Sequence, residues 1–163
     1  MTLDVTIGGA ASDSYGTLAQ YTAQAALYGW TLEATDAANE TNLRRAAASL
    51  DRQNSFIGRT QYQTQALSWP RIDCGYVDGW PIDPDTIPQD IIAAQFELAY
   101  LIQAGLDPFA TIETSNTSES IKVGPISISG STLPSGKPRL VAIEGLLRDY
   151  VKAGAGQVAL QRG

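Results

Sequence analysis

Residues 87–105 read Ile87-Pro88-Gln89-Asp90-Ile91-Ile92-Ala93-Ala94-Gln95-Phe96-Glu97-Leu98-Ala99-Tyr100-Leu101-Ile102-Gln103-Ala104-Gly105. This stretch predicts a helix from Pro88 to about Ala104. Proline suits a first helical turn, where its missing N–H would have no intrahelical partner, and Gly105 suits the stop. Ile92, Phe96, Ala99 and Ile102, separated by four, three and three residues, form its inward stripe. A helix with one apolar stripe needs other elements to cover it, so the fold depends on the flanks.

Upstream, from Arg59 to Thr86, Pro70, Gly75, Gly79, Pro81 and Pro84 break any helical period, while Trp69, Tyr76 and Trp80 supply large apolar bodies. This predicts a long ordered loop packed back on the helices. Before it, a helix is expected from Thr35-Asp36 to about Ser55, with Leu43, Ala47 and Leu50 on one face and Arg44, Arg45 and Arg52 beside it. An earlier one is expected from Tyr15 to Tyr28, capped by Asp13-Ser14 and ended by Gly29. Its apolar positions are Leu18, Tyr21, Ala25 and Tyr28.

Downstream, Ile121 and Val123 alternate, Gly124-Pro125 intervenes, and Ile126 and Ile128 alternate in the opposite phase. A kink or bulge at Gly124-Pro125 in an edge strand would reconcile the phases, and the Ser/Thr/Gly-rich flanks make a projecting strand pair. A last helix follows Pro138, from about Arg139 to Lys152, with Leu140, Ile143, Leu147 and Tyr150 or Val151 as its stripe. The expected fold is mainly α: a compact bundle of about four helices with a long ordered loop and a small projecting β-strand or hairpin segment. One domain is expected over 1–163, with 111–137 as the excursion and 153–163 as a flexible tail.

A chain of 163 residues can bury roughly 70% of its unfolded surface, enough for its own core. Its apolar fraction of 44% excludes wholesale disorder. The start Met1-Thr2-Leu3-Asp4 lacks the pattern of a signal peptide, and no apolar run is long enough to span a bilayer, so a cytosolic protein without membrane contact is expected. The absence of histidine removes Ser-His-Asp triads, His-ligated zinc and imidazole bases. Cys74, the single cysteine, has neither a disulfide partner nor a histidine to activate it. Gly8-Gly9 is not followed by the Gly-Lys-Ser/Thr of a P-loop, and Ser127, Ser129 and Gly130 make no nucleophile elbow. No enzyme activity and no cofactor are expected.

The net charge of −6 argues against a protein that coats nucleic acid. Residues 1–43 carry five acids and no base; 44–71 carry five arginines against Asp51; 72–119 carry nine acids and no base; 120–163 carry six bases against Glu144 and Asp149. The blocks either neutralise one another within one fold or meet between neighbouring copies. On the second reading Arg44 and Arg45 face the acidic block of a neighbour, including Asp83 and Asp85.

Aligning Asp78-Gly79 with an EF-hand loop places Cys74 and Tyr76 where oxygen ligands are needed, leaving a looser divalent site among Asp73, Asp78, Asp83 and Asp85, or simply a solvated acidic loop. Arg59, Gln61, Tyr62, Gln63, Gln65, Trp69 and Arg71 mix aromatic and basic residues as single-strand binders do. The competing reading has Trp69 anchoring the loop in the core, glutamines satisfying loop backbone groups and Arg71 paired with an Asp.

Leu50-Asp51, Gly58-Arg59, Gln65-Ala66-Leu67-Ser68-Trp69-Pro70-Arg71, Asp78-Gly79, and Ile87-Pro88 followed by Ala93, Ala94, Glu97, Leu98 and Ala99 form an ordered set. It resembles the head-tail connector, or adaptor, proteins of tailed bacteriophages, some of which carry the name DnaT-like single-stranded DNA-binding protein. Ile121 to Ser127 and Leu146-Leu147 extend the likeness, which covers about Asp13 to Tyr150 and is densest from Leu50 to Ala99. The chain departs from the family pattern in its long Ser/Thr-rich approach to Val123-Gly124-Pro125 and in having no His or Lys around Trp69-Pro70-Arg71.

The resemblance implies a structural motif at Gln65, Leu67, Trp69, Pro70, Arg71, Asp78, Gly79 and Pro88. It implies a ring of about twelve copies, assembled in the bacterial cytoplasm and placed in the virion neck. There the ring docks under the portal protein, extends the DNA channel and meets the next neck or tail-completion protein, while DNA passes without specific binding. The alternative is a single-stranded nucleic-acid-binding protein. The family and the chemistry together point to the stretch from Val151 to Gly163 as portal-binding: Lys152 and Arg162 are basic with no acid among them, and Val158 and Leu160 are apolar residues a flexible tail would leave in water; the alternative is a frayed terminus with no partner.

Overall fold

The computed structural model describes residues 2–109, 121–123, 126–128 and 140–152. Its helices are α1 (Leu18–Tyr28), α2 (Asp36–Gln53), α3 (Gln89–Gln103) and α4 (Val141–Leu147). Six short strands form three antiparallel pairs: β1 (Arg59–Thr60) with β2 (Arg71–Ile72), β3 (Tyr76–Val77) with β4 (Trp80–Pro81), and β5 (Ile121–Val123) with β6 (Ile126–Ile128). The chain is mainly α, as its patterning predicts.

Helix α3 is the centre, packed on α2 along one side and on α4 along another, while α1 lies on α2. Ile92, Phe96, Ala99 and Ile102 are all buried, as is the facing α2 stripe of Leu43, Ala47 and Leu50. Pro88 occupies the N-cap of α3, one residue ahead of the first helical turn, and its carbonyl accepts from the Ile91 and Ile92 amides. Gly105 follows the helix at φ +100°, a left-handed conformation that favours glycine.

Helix α1 begins three residues later than its sequence suggests. Thr17 caps it through a reciprocal pair with Gln20: the Gln20 amide donates to Thr17 Oγ1 at 3.1 Å and the Thr17 amide to Gln20 Oε1 at 2.8 Å. Tyr15 and Gly16 stay outside because both amides donate to the Gln95 side-chain oxygen, at 3.1 Å each. Gly16 also passes so close to Phe96 that a Cβ there would lie 2.4 Å from the ring. Asp13 is not a cap; its carboxylate receives the Asp4 amide and the Arg44 guanidinium.

Helix α4 ends at Leu147, five residues short of the expected Lys152. Beyond it the Tyr150 carbonyl accepts from the Ile57 amide at 2.9 Å, Val151 forms a β-bridge with Phe56, and the Lys152 amide donates to Ser55 at 2.7 Å. Pairing with the chain that leaves α2 draws this backbone into an extended form.

The 59–86 loop is ordered, but only one of its three tryptophan and tyrosine anchors goes inward. Trp69 is 1% exposed, whereas Tyr76 and Trp80 are 73% and 78% exposed. Both flank a two-residue hairpin turn at Asp78-Gly79, where φ is +51° and +83°, the double left-handed geometry for which an Asp-Gly pair is suited. The β5–β6 pair has Val123 opposite Ile126 and Ile121 opposite Ile128. An antiparallel pairing around two intervening residues joins odd to even positions, so the two alternating phases match across a hairpin, and a kinked single strand is not needed.

Candidate functional site

The residues singled out between Gln65 and Arg71 come together around Trp69. Its indole meets Phe56 and Tyr150 edge-on, with centroids 5.8 Å and 5.7 Å away. Pro70 is fully buried after a cis Trp69–Pro70 peptide, and Leu67 packs on the core from a half-buried position. Gln65 holds the turn before them: its Nε2 donates to the carbonyls of Leu67 (2.7 Å) and Pro70 (3.1 Å), and its Oε1 accepts the Tyr62 amide (2.9 Å). Glutamine as a substitute for missing backbone partners is thus confirmed at Gln65.

Arg71 differs from its expected pairing with an aspartate. Its Nε donates to the Ile57 carbonyl at 2.7 Å, and its two terminal nitrogens donate to Ser68 and Gly58 at 3.0 Å each. A planar fork with donors on three nitrogens can gather three carbonyls that no helix or sheet satisfies. Its guanidinium also lies over the Phe56 ring, 6.0 Å from the centroid.

Beneath the loop, Asp51 at the end of α2 accepts from the Tyr15 hydroxyl and from the Ser68 amide, the latter at 2.9 Å. Burial pushes the Asp51 carboxyl up from its ordinary value, against the lowering effect of these bonds and of the Arg71 charge. Burial, and then the neighbouring Asp51 charge, raises Tyr15 well above 10. Gln95 makes a second polar knot, donating to Ser14 Oγ at 2.8 Å and to the Leu43 carbonyl at 2.9 Å. Sequence reasoning missed both knots. Their signal was available for Gln95, an amide lying within the α3 apolar stripe, three residues after Ile92 and four before Ala99.

The charged positions are spread over the surface. Arg44 bonds Asp13 and Glu40 of its own chain, Arg45 meets Asp107 at 3.5 Å, and Arg59 meets Asp73 at 2.9 Å. Asp83 accepts the Asp85 amide, and Asp85 accepts Gln61 Nε2 at 2.6 Å. Opposite charge blocks therefore meet within one fold at these residues. Among the described residues, no group of three or more acidic or cysteine side chains could hold a metal ion. Cys74 is buried against the Ile57 and Ile72 carbonyls, and burial raises its thiol.

The aromatic and basic constellation proposed for base stacking is dispersed: Trp69 is inside, Arg71 holds backbone, Arg59 faces Asp73, and Tyr62 is exposed. A different aromatic group appears at the end of α1, where Tyr28 stacks on Trp30 (5.2 Å) and Trp30 on Tyr100 (4.7 Å). Asp78 and Gly79 form the hairpin tip, and Pro88 caps α3. Val151 and Lys152 are bound by backbone to Phe56 and Ser55, while Val158, Leu160 and Arg162 lie outside the described residues.

A family model described as "Putative DnaT-like ssDNA binding protein" matches residues 1–163. No curated protein and no solved structure matches the chain.

Proposed function

The chain belongs to the DnaT-like ssDNA binding protein family, and from that premise we propose that it is a non-catalytic head-tail adaptor. In this reading copies form a ring of about twelve under the portal of a filled capsid, continue the DNA channel and present a surface to the next neck or tail protein. The observation that carries the reading is the use made of the motif's cation: Arg71 spends its donors on the carbonyls of Ile57, Gly58 and Ser68. The Trp-Pro-Arg motif thereby maintains a shape, which is what an adaptor needs. An acidic surface also suits a channel wall along which DNA slides, since basic residues would retain phosphates.

The stretch from about Val151 to Gly163 is the proposed portal contact. Several weak contacts in a ring act together, so modest affinity per copy suffices. Single-stranded DNA binding is the second reading, and the family's description favours it.

Three measurements separate the two. The adaptor reading expects a ring by native mass measurement, recovery of tail joining when the protein is added to tail-less capsids, and no retention of single-stranded DNA at moderate salt. Retention with a steep salt slope, together with failure to join capsids, rejects the adaptor reading and establishes the other.

A further inference from the structure

Three planar side chains form a ladder at the end of α1, in the order Tyr100, Trp30, Tyr28, with ring centroids 4.7 Å and 5.2 Å apart. Tyr100 and Trp30 are half-buried. The last rung ends in water: Tyr28 is 64% exposed, Leu27 beside it is 85% exposed, and Trp30 is the stacking neighbour of Tyr28 among the described residues.

The surroundings of the ladder are acidic. The Glu33 amide donates to Asn39 Oδ1 and Asn39 Nδ2 donates to the Glu33 carbonyl, at 3.1 Å each, which sets Glu33 against the first turn of α2, where Asp36 also stands. After burial, the charges of Tyr100 and Glu33 are what raise Tyr21, so both stand near that ring. Neither Glu33 nor Asp36 meets a cation among the described residues, and residues 1–43 hold no base. The missing fourth rung is therefore planar, to stack; cationic, to suit the aromatic face and the two acids; and a donor to carboxylates. An arginine guanidinium meets all three conditions.

The chain carries such a group with no acid of its own. Of the arginines in 44–71, Arg44, Arg45 and Arg59 pair with carboxylates and Arg71 with carbonyls. Arg52 has the Phe109 ring, 5.2 Å away, and no carboxylate among the described residues; Phe109 is itself exposed. A guanidinium has two faces, so one resting on Phe109 can stack on a second ring. The ladder of its own copy is far off, because Asp36 and Arg52 stand in the first and last turns of α2, about 24 Å apart along the axis. Two different surfaces at opposite ends of one helix are what a head-to-tail contact needs.

We propose that copies of this chain join head to tail, with Arg52 and Phe109 of one copy seated on Leu27, Tyr28 and the Glu33–Asp36 edge of the next. The inference rests on the ring of the adaptor reading for its symmetry alone; portal, channel and copy number are no part of it.

Sedimentation velocity on the full chain tests it with Arg52→Glu and with the double variant Leu27→Lys, Tyr28→Lys, all at exposed positions. The unsubstituted chain is expected to assemble. Each variant alone, with unchanged far-ultraviolet dichroism, should associate more weakly by about ten-fold or more. An equimolar mixture of the two should form dimers and stop there, because each pair keeps one contact between an intact Arg52 and an intact ladder. Arg52→Lys, which keeps the charge and loses the planar fork, should fall between the unsubstituted chain and Arg52→Glu. Assembly that Arg52→Glu leaves unchanged overturns the contact and leaves the ring reading standing. Loss with the ladder variant alone means that another group occupies the ladder, and overturns it as well. An unsubstituted chain that stays monomeric overturns both contact and ring. Dimers in the mixture, from a chain that never joins capsids, uphold the contact and reject the adaptor reading.

Discussion

Gln95 Nε2 donates to the backbone carbonyl of Leu43 at 2.9 Å, joining α3 to α2 by a hydrogen bond wholly inside the protein. The other amide hydrogen and the oxygen of the same side chain engage Ser14, Tyr15 and Gly16, so one residue fixes the entry to α1 and the packing of the two longest helices. Gln95→Leu keeps the bulk but leaves the buried Tyr15 and Gly16 amides without their acceptor and removes a donor from Ser14 Oγ and the Leu43 carbonyl. At roughly 1–3 kcal/mol for each unsatisfied group, the variant is expected to lose about 3 kcal/mol or more. Urea unfolding measures it, and a loss under about 1 kcal/mol would mean that the knot is replaceable.

Trp69→Ala is expected to cost about 3–5 kcal/mol, the usual range for removing a large buried aromatic. Trp69→Phe should cost much less, since it keeps a ring between Phe56 and Tyr150, and the indole Nε1 has no hydrogen-bond partner among the described residues. Thermal or denaturant melts of the two variants test the order. Near-neutral behaviour of Trp69→Ala would contradict its role as the loop's anchor.

Arg71→Lys retains the charge and loses the fork. A lysine ammonium cannot reproduce the spread of donors that meets Ile57, Gly58 and Ser68, so the variant should lose about 2 kcal/mol. Hydrogen exchange should quicken in the 57–72 segment while the middle of α3 stays protected. If a lysine at this position preserves loop protection, the charge rather than the fork geometry is what matters.

Three tyrosines predict an alkaline limit to stability. Burial is the leading cause at each: it raises Tyr15 well above 10 and moves Tyr21 and Tyr150 to about 12, with the bond to Asp90 adding to the effect at Tyr150. Between pH 10 and about 12 the unfolded chain releases these protons while the folded chain keeps them, so unfolding is favoured as pH rises. The stabilisation is complete below pH 10 and disappears through the folded-state values. Stability measured across this range should fall, with phenolate absorbance from these residues appearing late. Tyr21→Phe and Tyr150→Phe should each flatten the fall; an unaltered slope in both would refute the assignment.

The apolar stripes of α2 and α3 were legible because periodic burial is a local pattern that the tertiary structure then obeys. The start of α1 was not, because the Tyr15 and Gly16 amides are claimed by Gln95, a residue far away in sequence. The end of α4 was lost for the same kind of reason, a backbone pairing with Ser55 to Ile57 that no local signal announces. Composition marked Trp69, Tyr76 and Trp80 alike as apolar, yet only long-range packing distinguishes the buried anchor from the two exposed rings. Gln65 acts as expected, satisfying loop carbonyls with its side-chain amide. The partner of Arg71 was not legible, because loop carbonyls in need of donors leave no trace in side-chain identity.

The contact of Trp69 with Tyr150 orders events during synthesis. A nascent chain extended only to residue 139 already contains Phe56 and Trp69, but the ring that covers them has yet to leave the ribosome. Its large aromatic surface stays open to chaperones and proteases until α4 and the segment after it arrive. A chain interrupted before Tyr150 therefore lacks the ring that meets the Trp69 indole edge-on, and the protein acquires its finished surface only after Tyr150 has closed over it.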